Sequence, residues 1–124
     1  MMNFLKRRAK PSHDAYAVVT GAGSGIGRSF ALELTRRNGV VICADVNLDG
    51  ARETVALIEQ LGGRAYAVHC DVGNADAVRE LSEQAESLLG HPVTLLINNA
   101  GVGLGGKFTD TSLEDWKWCM HVNL

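Results

Sequence analysis

Four glycines, Gly21, Gly23, Gly25 and Gly27, fall within seven residues directly behind Val18-Val19-Thr20. Glycine is costly to order, so this concentration implies a backbone that must approach something closely or bend where other residues resist. The chemistry that wants such a backbone is anion binding. Unpaired N–H groups and the positive dipole end at the start of a helix hold a phosphate, and side chains would keep it away. The general dinucleotide fingerprint G-x-G-x-x-G needs a glycine at position 26, where Ile26 stands. Gly21, Gly25 and Gly27 give T-G-x-x-x-G-x-G instead, with Thr20 leading and Ser24 inside. A phosphate loop G-x-x-x-x-G-K-[ST] is a near miss, because Ala22 and Arg28 occupy its first-glycine and lysine positions.

A second chemical group follows at the expected distance. Asp45 closes an apolar run about 20 residues on, where a ribose-binding carboxylate belongs. A carboxylate there accepts from the adenosine ribose hydroxyls and repels a 2'-phosphate. Neither Ser24 nor Val46 is a lysine or arginine that would offset the repulsion. The pattern favours NAD over NADP as the cofactor.

These residues need elements to position them, and the chain supplies an alternation. Residues 15–20 read as a buried strand, and Ile26, Phe30 and Leu34 recur every fourth residue through a helix closed by Asn38-Gly39. Residues 40–45 form a second strand. Leu48, Ala51, Val55, Ile58 and Leu61 mark the next helix, with Asn47 as its cap and Gly62-Gly63 at its end. A third strand spans 64–71. Val78, Leu81, Ala85 and Leu88 trace a helix opened near Asn74 and stopped by Gly90, and 93–98 make a fourth strand. A glycine-rich loop (101–106) precedes a last helix from about Thr111, with Ser112 and Asp115 suited to its first turn. Near-continuous apolar strands alternating with helices predict an α/β fold: a Rossmann-type doubly wound parallel sheet, strand order 3-2-1-4, helices on both faces.

Length and charge set the outer bounds. The 124 residues are one domain's worth, 46% hydrophobic and 21% charged, with a formal net charge of -2. No nucleic-acid partner is expected from that balance, and no apolar run reaches a membrane span. Lys6, Arg7, Arg8 and Lys10 form a basic cluster, so residues 1–14 read as a disordered basic tail and 15–124 as the dinucleotide-binding domain. Cys43, Cys70 and Cys119 are odd in number without C-x-x-C spacing, which argues for free thiols in a reducing, cytoplasmic setting. No metal site is expected, since Cys119 and His121 point to different helix faces.

Thr20-Gly21-Ala22-Gly23-Ser24-Gly25-Ile26-Gly27, Asp71-Val72 and Asn98-Asn99-Ala100-Gly101, taken in order, resemble the short-chain dehydrogenase/reductase family from about residue 15 onward. The resemblance implies that the glycine loop binds pyrophosphate and that Asp71 and Val72 contact adenine. It also implies that Asn98 stabilises the sheet beside the cofactor, while Ala100 and Gly101 line the site. "MHVNL" matches the family segment whose asparagine joins the catalytic tetrad, here Asn123, credited with holding a water in a proton relay. The family's serine and Tyr-x-x-x-Lys pair lie beyond that asparagine, and these 124 residues do not contain them. Tyr16 and Tyr66 are followed four residues later by Thr20 and Cys70. The expectation is the cofactor-binding amino-terminal part of an NAD-dependent oxidoreductase acting on an alcohol or ketone, truncated after the fourth strand and following helix, and inactive alone. The alternative is a non-catalytic dinucleotide-binding or interaction protein. The family habit of packing its last helix here against a second subunit adds an expectation of homo-oligomers, with Trp118 in the contact.

Overall fold

The strand and helix alternation is realised in the computed structural model, which describes residues 10–124. In chain order the elements are β1 (Tyr16–Thr20), α1 (Gly25–Arg36), β2 (Val40–Asp45), α2 (Leu48–Gln60), β3 (Arg64–His69), α3 (Ala75–Leu89), β4 (Leu95–Ile97) and α4 (Leu113–Asn123). A single 3-10 turn, Phe108–Asp110, precedes α4. The four strands are parallel in the order β3-β2-β1-β4, with Val19 opposite Cys43, Ala44 opposite Val68 and Val18 opposite Leu96. This is the expected doubly wound order.

Side chains alternate across the sheet, and so do its two cores. Ala17, Val19, Val41 and Cys43 face α1 and α2, where Ala31, Leu34, Ala51 and Ile58 meet them. Val18, Ile42, Ala44 and Val68 face the other way, against Leu81 and Ala85 of α3. Both faces of β1 and β2 are therefore apolar, which is why those strands read as unbroken hydrophobic runs. Burial pushes the Cys43 thiol up from its ordinary 9.0 to about 12, so it stays neutral in the core.

The helix starts follow the expected caps. The Asn47 side chain accepts from the Gly50 N–H, and Asn74 accepts from those of Asp76 and Ala77. Ser112 accepts from the Asp115 N–H and donates its hydroxyl to the Asp115 carboxylate. Each such cap contributes about 1 kcal/mol.

Two apolar stripes differ from the expectation. Ile26 is 70% exposed and Phe30 43%, while the buried positions of α1 are Gly27, Ala31 and Leu34. The helix lies close to the sheet on its small residues, a stripe that a search for large apolar side chains passes over. In α3, Leu81 and Ala85 are buried but Val78 and Leu88 are exposed. At the amino-terminal end, Ser12 and Asp14, read as tail, are tied to the end of α1. Arg37 donates to the Ser12 hydroxyl at 2.8 Å, and Asn38 donates to the Asp14 carboxylate at 2.8 Å. The basic cluster residues Lys6, Arg7 and Arg8 lie outside the described residues. Among the described residues, no helix is long and apolar enough to cross a membrane.

Candidate functional site

β1 ends at the carboxyl edge of the sheet, and the chain must turn there to start α1. Gly21 makes that turn at φ 67, in the left-handed region that favours glycine. A Cβ on Gly27 would overlap the Gly21 carbonyl oxygen, so the first turn of α1 reaches the loop only because residue 27 is glycine. Gly23 is also closely packed: a Cβ there would stand 2.8 Å from the Asp45 carboxylate.

A cavity of about 530 Å³ opens over this loop. Gly21, Ser24, Gly25 and Ile26 form its floor, and Asp45 and Val46 the wall at the end of β2. Cys70, Asp71 and Val72 close the side beyond β3. Ala100, Gly101 and Val102 border it from the loop after β4, and Trp118 and Val122 of α4 complete the rim. The sequence-predicted residues Gly21, Ser24, Gly25, Ile26, Asp45, Asp71, Val72, Ala100 and Gly101 thus share one cavity.

The remaining predicted residues stand behind it. Thr20 is buried. Its hydroxyl accepts from the Asn99 and Ala100 N–H groups, each at 3.1 Å, and donates to the Ile97 carbonyl at 3.4 Å. It joins the ends of β1 and β4. Gly27 is buried under the loop. Asn98 is exposed and borders a separate, smaller cavity with His121 and Asn123. The amide that ties β4 to the glycine loop belongs to Asn99, which donates to the Thr20 carbonyl at 3.1 Å and the Gly21 carbonyl at 3.3 Å. The position next to Asn98 therefore carries the sheet contact expected of Asn98.

Asn123 has its side-chain amide engaged. It accepts from the Val102 N–H at 2.9 Å and donates to the Val102 carbonyl at 2.8 Å, pairing with the backbone as a strand would. The last turn of α4 is thereby fastened to the loop that borders the cavity. Asp71 accepts from the Gly73 N–H at 2.9 Å, which turns the chain after β3 and leaves its second oxygen toward solvent.

Asp45 is the most constrained acid in the site. One oxygen accepts from the Gly23 N–H at 2.8 Å and the other from the Asn47 N–H at 2.9 Å. An ionised carboxylate offers about four acceptor directions, so two remain free at the cavity wall. Sequence reasoning missed Trp118 as a cavity residue; it is 48% exposed and sits one turn before Val122 on the same helix. It also missed Arg28 and Thr54, which hold the glycine loop against α2.

A dinucleotide fits these features. The cavity lies on the N-terminal end of α1, the glycines open the approach, and a carboxylate stands at the end of β2. Among the described residues, no lysine or arginine lines it.

Comparison with known proteins gives the same picture. The family model for short chain dehydrogenase matches residues 15–124. The chain is 38% identical over 108 residues to the 7alpha-hydroxysteroid dehydrogenase of Escherichia coli strain K12, covering 87% of this chain and 42% of that protein. Among solved structures, the apo form of LigD from Sphingobium sp. strain SYK-6 superposes with a TM-score of 0.85 at 31% identity, covering 90% of this chain and 48% of that one. A short chain dehydrogenase from Burkholderia cenocepacia J2315, solved in complex with NADP, gives 0.83 at 31% identity, with 93% and 47% covered. The chain spans about half the length, or less, of these relatives. Sheet order, glycine loop and family match agree: the chain belongs to the short-chain dehydrogenase family.

Proposed function

We propose that this chain is the cofactor-binding part of an NAD-dependent short-chain oxidoreductase that moves hydride between a nicotinamide cofactor and the carbinol or carbonyl carbon of a small alcohol or ketone. The observation that carries the reading is Asp45 at the cavity wall, fixed by two backbone N–H groups and facing no cation among the described lining residues. Its free acceptor directions suit the two hydroxyls of an unphosphorylated adenosine ribose. Its charge opposes a 2'-phosphate. The NADP complex of the Burkholderia relative is a property of that protein; for this chain the proposal is NAD.

The roles follow from position. The unpaired N–H groups at the start of α1 receive the pyrophosphate, with Gly21, Ser24, Gly25 and Ile26 around it. Asp71 and Val72 border the adenine end, and Trp118 and Val122 flank it from α4. Thr20, Gly27 and Asn98 stand behind the cavity. Ala100 and Gly101 line its other side. Asn123 serves the site by holding Val102, in the segment the family resemblance assigns to the proton relay. When bound, the nicotinamide supplies the hydride carrier.

The proton step needs a tyrosine whose pKa a nearby lysine lowers. Neither Tyr16 nor Tyr66 has a lysine four residues on, and Tyr16 is stacked on His91 at 3.9 Å. The 124-residue chain is therefore proposed to bind cofactor without turning over substrate. A cytoplasmic setting accords with its three free cysteines. α4 is the proposed contact of a homo-oligomer, with the exposed Trp118 in it beside Leu113 and Trp116.

Fluorescence titration of the purified chain with NADH, paired with NAD reduction assays on an alcohol panel and sedimentation at micromolar concentration, tests this reading. Binding without turnover, in a self-associated species, is expected. No NADH binding would overturn the cofactor site, and turnover above a Gly25→Val control would overturn the inactivity of the chain. A strictly monomeric species would overturn the oligomer.

A further inference from the structure

Arg28 stands just past the glycine pattern. Its Nε donates to the Thr54 hydroxyl at 2.9 Å, and its Nη2 donates to the Gly23 carbonyl at 2.6 Å and, at the longer distance of 3.5 Å, to that of Gly50. Thr54 is fully buried. A hydroxyl has one hydrogen, and the nearest acceptor to Thr54 is the Ala22 carbonyl at 2.7 Å, with the Gly50 carbonyl farther at 3.2 Å. Arg28 and Thr54 together thus hold two successive loop carbonyls, those of Ala22 and Gly23, on the α2 side.

In a trans peptide the N–H points opposite to the carbonyl of the same unit, and none of the described peptide bonds is cis. With the Ala22 carbonyl on Thr54, the Gly23 N–H is turned to Asp45, where it is found at 2.8 Å. With the Gly23 carbonyl on Arg28, the Ser24 N–H is turned away from α2. Ser24 lines the cavity, and among the described residues its N–H meets no acceptor. The free donor is left facing the place where an anion would sit.

We propose that Arg28, with Thr54, is a positioning residue for the cofactor's phosphates: it fixes the Gly23–Ser24 peptide plane and so aims the Ser24 N–H. The proposal rests on the cofactor reading for the identity of the anion, and on the loop geometry alone for the aim of the donor. Arg28 does not line the cavity, and its guanidinium is committed to carbonyl, hydroxyl and carboxylate partners. That commitment argues against a direct contact with a 2'-phosphate. Glu53 meets the same guanidinium at 3.4 Å but is itself largely exposed, so it contributes little to the plane.

The test uses the 124-residue chain with Arg28→Met, Arg28→Lys, Thr54→Val and Glu53→Gln. Amide NMR of the ligand-free proteins reads the loop directly, and NADH titration reads its consequence. Thermal unfolding reports the stability of each variant. Arg28→Met is expected to shift the Ser24 amide most and to weaken NADH binding about tenfold, the loss of one well-aimed charge-assisted hydrogen bond. Thr54→Val moves the same amides less, and its effect is not additive with that of Arg28→Met. Arg28→Lys recovers part of the affinity, and Glu53→Gln changes neither readout. An unmoved Ser24 amide, or NADH affinity within about twofold despite lower stability, would reduce Arg28 to a structural tie and overturn the proposal. A loss confined to NADPH would make it a direct phosphate ligand and also overturn it. If the unaltered chain fails to bind NADH, the cofactor reading falls while the amide readout still decides the positioning. Should Arg28→Met not fold, Thr54→Val and Arg28→Lys carry the same two readouts.

Discussion

On the β2 side of β1, Val41, Ile42, Cys43 and Ala44 are buried, and two helices cover one face while α3 covers the other. There the glycine loop is fastened atom by atom: Ala22 and Gly23 each have both backbone polar groups engaged, by Ala44, Thr54, Asp45 and Arg28. On the β4 side the strand is three residues long, Leu96 is 53% exposed, and α4 contains no buried residue. Its connection to the site runs through three polar side chains, Thr20 and Asn99 at the strand ends and Asn123 at Val102. The β2 end of the cavity thus rests on a dense core, with the side chains of Asp45, Thr54 and Arg28 holding the loop backbone. The opposite end is set by side-chain ties across exposed surface. Rigid placement of hydrogen-bonding groups needs the first kind of construction, because a small error in position forfeits the bond.

The contrast can be broken most severely at Gly27. Gly27→Val would drive a side chain into the Gly21 carbonyl and force α1 off the sheet. A loss of about 3 kcal/mol or more is expected by urea unfolding, with NADH binding abolished. A matched pair of truncations then sharpens the comparison. Ile58→Ala, fully buried between α2 and the sheet, should cost about 3 kcal/mol, whereas Leu96→Ala on the β4 side should cost less than about 1 kcal/mol. Equal costs would show that the β4 side packs as firmly as the β2 side. The smallest effect is expected at Asn123. Asn123→Ala removes the amide that pairs with both Val102 backbone groups at an exposed position, leaving only the long Cys119 thiol contact on the carbonyl, a cost of about 1 kcal/mol. Hydrogen exchange should speed up at the Val102 amide and stay unchanged at the β1–β2 amides. Unchanged exchange at Val102 would show that the loop is held by something else.

Much of this was legible from the chain itself, for identifiable reasons. Asn47, Asn74 and Ser112 announced helix starts because capping is a local interaction between residues two or three apart. The strand order followed from handed crossovers, and Gly21 with Asp45 located the cavity because both lie at carboxyl ends of adjacent strands. What was not legible depends on distance or on small side chains. Ile26 and Phe30 suggested a buried stripe, while Gly27 and Ala31, with little hydropathy signal, form the real one. Asn98 and Asn99 are adjacent and identical in type, so only the twist at the end of β4 decides which amide meets the loop. Thr54 and Arg28 are 26 residues apart, and nothing in either neighbourhood marks the pair.

The most direct measurement is a paired fluorescence titration of the chain with NADH and NADPH, repeated for Asp45→Asn. That substitution keeps an acceptor for a loop N–H while removing the charge. The expected result is NADH binding at least about tenfold tighter than NADPH, a gap that narrows in the variant as the repulsion of the 2'-phosphate is lifted. NADPH binding as tight as or tighter than NADH, or a gap that Asp45→Asn leaves untouched, would contradict the assignment of Asp45 and with it the NAD reading of the site.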